Sequence, residues 1–64
     1  MNWAENIKRL RDKMLITQNE LADLVRVSIA SINRYENGKF EPTMKVKRKL
    51  MELFKEHGIV REDE

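Results

Sequence analysis

The sequence predicts an all-α fold, a small bundle of four or five short helices, and three observations carry that expectation. Apolar residues recur at helical spacing in four separate segments, and a residue suited to helix capping precedes each of them. Strand signals are absent: no alternating run of β-branched residues reaches five positions, and no hairpin dipeptide joins two such runs. With two glycines and one proline in 64 residues there is no room for a linker, and no internal repeat is visible. A chain this short buries only about 60% of its unfolded surface. One domain with a small core is expected.

The first helix starts after Asn2, an N-cap with Glu5 three residues on, and carries Trp3, Ile7, Leu10 and Met14 on one face. It is expected to run to about Met14. Thr17 followed by Glu20 is a cleaner capping box, and Leu21, Leu24 and Val25 supply the buried stripe of a second helix of about nine residues. A helix that short depends on tertiary support. Ser28 caps the third helix, whose inward side is Ile32 and Tyr35 and whose end is marked by Asn37-Gly38. The turn between the second and third helices is then only Arg26-Val27. Thr43, after Pro42, caps a final helix with Val46, Leu50, Leu53 and Phe54 on one face, closing near His57-Gly58. Residues 1–58 are expected to form the domain, and 59–64 a frayed acidic tail.

Composition excludes several function classes. Without cysteine there is no disulfide framework and no thiolate nucleophile, and a single histidine, His57, cannot build a closed zinc site. No metal and no cofactor is expected. His57 sits where it complements a helix dipole, and no phosphate-binding glycine loop or carboxylate pair accompanies it, so an enzyme is not expected. The longest apolar stretch is Met14-Leu15-Ile16, far below the roughly 20 residues of a membrane span. No hydrophobic signal region opens the chain, and the expectation is a soluble, cytoplasmic protein without membrane contact.

The net charge of +2 hides an asymmetry. Residues 1–25 balance to zero and residues 50–64 sum to −3, whereas residues 26–49 hold Arg26, Arg34, Lys39, Lys45, Lys47, Arg48 and Lys49 against Glu36 and Glu41. That basic centre favours a polyanionic partner.

Two helices of eight to ten residues joined by a two- or three-residue turn describe a helix-turn-helix. Thr17-Gln18-Asn19-Glu20-Leu21-Ala22, then Val27-Ser28, then Ile32-Asn33-Arg34-Tyr35-Glu36-Asn37-Gly38-Lys39, then Pro42, resembles the Cro/C1-type (XRE-like) helix-turn-helix family of phage repressors and bacterial transcriptional regulators. The likeness runs from about Ile7 to Phe54. It implies a sequence-specific regulator of double-stranded DNA. One short recognition helix reads few base pairs, so a homodimer on an inverted repeat is expected, acting as a repressor.

The side chains of the third helix are consistent with that role. With Ile32 and Tyr35 inward, Ile29, Ala30, Asn33 and Arg34 lie on the other side and would meet base edges. Arg34 suits a bidentate contact to guanine, and Ile29 and Ala30 suit the methyl of thymine. The plainer alternatives are a solvated Arg34 and an Ile29 packed on a neighbour. The resemblance assigns Gln18 a phosphate contact at the start of the second helix, where free N–H groups and the dipole also favour an anion. Ser28, Asn37 and Lys39 match positions for further backbone contacts, with capping an equally good reading for Ser28. The resemblance also pairs Arg11 with Glu36 in a structural salt bridge, which keeps Glu36 from facing phosphate.

Three departures from the family pattern stand out. Leu15 and Arg26 occupy turn positions where relatives usually have glycine, so either those turns are rebuilt or each carries the cost of a left-handed residue. The run Lys45-Val46-Lys47-Arg48-Lys49 is unusually basic, and serves either as a solvated face with snorkelling stems or as a further phosphate contact. Many relatives dimerise through a fifth helix, which lies beyond the last helix expected here. An alternative function is a protein-interaction module of the same fold, an antitoxin-like or phage-regulatory partner binding an acidic protein.

Overall fold

A computed structural model describes residues 2–60 as four helices: α1 Trp3–Met14, α2 Gln18–Val25, α3 Ile29–Glu36 and α4 Met44–Glu56. No strand occurs among the described residues. Three of the four starts carry a local side-chain cap. The Asn2 side chain accepts the Glu5 N–H at 3.0 Å. Thr17 accepts the Glu20 N–H at 3.1 Å while Glu20 accepts the Thr17 N–H at 2.9 Å, completing the capping box. Ser28 accepts the Ser31 N–H at 3.1 Å. Thr43 has the extended backbone of an N-cap but no side-chain bond, and its carbonyl accepts the Lys47 N–H at 2.8 Å.

All four helices close in the same way. A residue in the left-handed conformation ends each one, and the next N–H returns to a carbonyl of the last turn: Ile16 to Arg11, Val27 to Ala22, Lys39 to Arg34 and Ile59 to Phe54. This is the Schellman pattern, which glycine favours because it has no Cβ. Gly38 and Gly58 fill the position in α3 and α4, but Leu15 (φ 58°) and Arg26 (φ 60°) fill it in α1 and α2. The two non-glycine turns keep the left-handed geometry and are not rebuilt. What holds them there is packing: Ile16 and Val27, the residues that follow, both lie against the core. The left-handed residue and the burial of the residue after it occur together in both turns.

The core runs through all four helices. Ile7, Leu10, Leu21, Ile32, Leu50 and Phe54 are fully buried, with Ala22, Val25, Tyr35, Val46 and Leu53 around them. Trp3 covers one end, its ring 5.8 Å from that of Phe54.

Two expectations need correction. Leu24 is exposed, and Ala22 takes its place in the stripe, because the buried face of α2 follows positions 18, 21, 22 and 25 and Leu24 falls one step off it. The tail does not fray at 59–60. Ile59 packs on the core, and Val60, only 5% exposed, is part of it, held by the turn in which both N–H groups return to the Phe54 carbonyl. The remaining residues of the expected tail, 61–64, lie outside the described residues.

Candidate nucleic-acid interface

The third helix presents a defined outer face because its inner face is saturated. Ile32 and Tyr35 enter the core and Glu36 is buried, which turns Ile29, Ala30, Asn33, Arg34 and Asn37 to solvent. Ile29 is 49% exposed. All four proposed base-reading residues thus share one face, with Ile29 and Ala30 in the first turn and Asn33 and Arg34 a turn later. Asn37 Nδ2 donates to Asn33 Oδ1 at 3.0 Å, so these two amides are paired along the helix.

Behind this face, three helices meet at one carboxylate. Arg11 at the end of α1 grips Glu36 with two donors, Nε to Oε2 at 2.5 Å and Nη2 to Oε1 at 2.9 Å. Gln18 at the start of α2 adds a third bond, Nε2 to Oε1 at 3.1 Å. Glu36 itself is only 4% exposed. Burial pushes its pKa up and is the largest single influence, but the hydrogen bonds from Arg11 and Gln18 and the charges of Arg11 and Lys8 together outweigh it and hold the carboxyl below the usual range. The hydrogen bond to Glu36 raises the pKa of Arg11, against the opposing effect of burial. Both groups are therefore charged at neutral pH.

Gln18 was expected only at the phosphate backbone. In the structure its side-chain amide spends one N–H on Glu36, so any contact it makes to an anion uses the second N–H or its backbone. No sequence signal pointed to this bond, since it exists only where α1, α2 and α3 converge. Ser28 caps α3 and also lies 3.1 Å from the Ser31 hydroxyl, yet it remains exposed. Lys39 is exposed just past α3, on the far side of Gly38.

The basic run divides. Lys47 lies 5.2 Å from the Trp3 ring centre and 3.6 Å from Glu41, and Lys49 lies 3.7 Å from Glu52. Lys45 and Arg48 are exposed and make no ion pair among the described residues. Among those residues no cluster of three potential metal ligands occurs, and no helix is long and apolar enough to cross a membrane.

A capped α2, a three-residue turn of Arg26, Val27 and Ser28, and an α3 whose outer face is free define a helix-turn-helix. A family model described as helix-turn-helix matches residues 7–58, and the chain belongs to that Cro/C1-type family of DNA-binding regulators, which is not an enzyme family. Neither a curated protein nor a solved structure gives a significant match.

Proposed function

We propose that this regulator is a repressor that binds an inverted-repeat operator as a dimer, with α3 in the major groove. The observation that carries the reading is the composition of the outer face of α3: a paired amide, a guanidinium and two small or apolar side chains around a first turn that faces solvent. Behind that face the Glu36 carboxylate ties the end of α3 to α1 and α2. In this reading Arg34 pairs with guanine, Ile29 and Ala30 meet thymine methyl groups, and Asn33 completes the contact. Gln18, Ser28, Asn37 and Lys39 hold the phosphates on either side and set the register.

Selection of binding sites from randomised duplex tests the proposal. A palindromic consensus is expected, with half-sites about 10 base pairs apart centre to centre. Equal recovery of all sequences would overturn sequence-specific repression, and a single unrepeated half-site would overturn the dimer. Affinity for the selected duplex should also fall steeply with salt, each neutralised phosphate contributing a slope of about −0.9 in log K against log salt.

A further inference from the structure

Phe40 is 58% exposed in the loop behind α3, an aromatic ring that takes no part in the core. Its near neighbour is Arg34, whose Cζ lies 5.5 Å from the ring centroid. The loop brings the two together in short steps. Gly38, left-handed at φ 73°, reverses the chain, and the Lys39 N–H donates to the carbonyl of Arg34 itself at 3.0 Å. Pro42 is buried and anchors the far end. The carboxylates closest to Arg34 in the chain are engaged elsewhere, Glu36 by Arg11 and Gln18, Glu41 by Lys47. Arg34 makes no ion pair among the described residues.

We infer that Phe40 is a positioning residue for sequence readout: its ring seats the Arg34 guanidinium so that the donor edge is presented to a guanine. The inference rests on the base-reading role proposed for Arg34. A guanidinium held over a ring is attracted through its charge and needs no hydrogen-bond acceptor there, so the contact does not consume its N–H fork as an acceptor would. The cation–π contact therefore restricts the side chain and leaves the fork that guanine needs. A carboxylate partner would restrict it equally well but would occupy those donors. Phe40 needs no contact with the base and acts through Arg34.

The test measures binding of the full chain to the selected duplex and to random duplex, by fluorescence anisotropy, for Phe40→Leu, Phe40→Trp, Arg34→Ala and the Phe40→Leu/Arg34→Ala double variant. Phe40→Leu keeps the apolar bulk and removes the π face. It should weaken the selected duplex about two- to fivefold, leave random duplex unchanged, and have no further effect once Arg34 is alanine. Phe40→Trp should bind as the parent does. In the free protein, Arg34 side-chain proton resonances should be shifted upfield by the ring and return to ordinary positions in Phe40→Leu. Equal losses on both duplexes, additivity in the double variant, or tighter binding by Phe40→Leu would each overturn the positioning role while leaving Arg34 as the reader. If Arg34→Ala itself weakens both duplexes alike, the base-reading assignment falls, and the role of Phe40 falls with it.

Discussion

Leu15 and Arg26 each hold a conformation in which an L side chain costs about 1–2 kcal/mol. Leu15 is also 89% exposed, so nothing is gained from its side chain in return. Replacing either residue with glycine relieves the steric cost but adds backbone entropy to the unfolded chain, about 0.5–1 kcal/mol. Leu15→Gly and Arg26→Gly should therefore each stabilise the domain by roughly 0.5–1 kcal/mol, seen as a higher urea midpoint at unchanged slope. A lower midpoint would show that the side chains contribute something in the folded state. The side chains proposed to read bases and to hold phosphates separate at the same scale. Arg34→Ala should cost about 1–3 kcal/mol on the selected duplex and relax one base pair, whereas Lys39→Ala should weaken all sequences alike and reduce the salt slope by about 1. The left-handed turns were legible as departures from a glycine pattern. Their outcome was not, because it depended on whether Ile16 and Val27 find the core.

Between elements, the decisive interaction is the Glu36 node that joins α1, α2 and α3. Because its pKa is held below that of the unfolded chain, Glu36 contributes stability that is fully present above about pH 4.3, the ordinary glutamate value, and is lost as pH falls through the lower folded-state pKa. Arg11→Met reverses the sign. The carboxylate stays buried without its main partner, its folded pKa rises above the unfolded value, and the stability it contributes is lost as pH rises through that raised pKa. The stability gap between parent and Arg11→Met should consequently widen from pH 4 to pH 7 in urea titrations, approaching about 3 kcal/mol for a buried charge left unpaired. A gap independent of pH would mean that Glu36 is not the group responsible. The Arg11–Glu36 pair entered through family resemblance, and Gln18 joined it only in three dimensions. Two helix ends 25 residues apart in sequence and the start of a third helix have no local pattern that marks their meeting.

At the scale of the molecule, 64 residues supply a small core, and such domains commonly have only about 3–5 kcal/mol to spare. Each buried apolar side chain then matters, including those beyond the last helix. Val60→Ala removes two carbons' worth of burial and should lower stability by about 1–2 kcal/mol. If the chain frayed there, the same change would be silent in a thermal melt, so one measurement separates the two descriptions. In the proposed reading, the eight residues of α3 also limit the number of base pairs a single chain reads. Sedimentation is accordingly expected to show a monomer or weak dimer alone and two chains on a palindromic duplex. A tight dimer at nanomolar concentration without DNA would contradict this.

By itself, the sequence determined the helices, their caps and the side chains on the outer face of α3, because capping and amphipathic period are local and are written within a turn or two of the chain. Tertiary structure alone decided what those elements do to one another. It chose Ala22 over Leu24 for the core, drew Ile59 and Val60 into it, kept Leu15 and Arg26 left-handed, gave Gln18 a carboxylate and set Phe40 under Arg34. The first four share one physical reason: each depends on a surface or partner supplied by residues beyond the local turn, which exists only once the chain has closed on itself. The Arg34–Phe40 contact is instead made across the single turn at Gly38, whose geometry only the folded chain fixes.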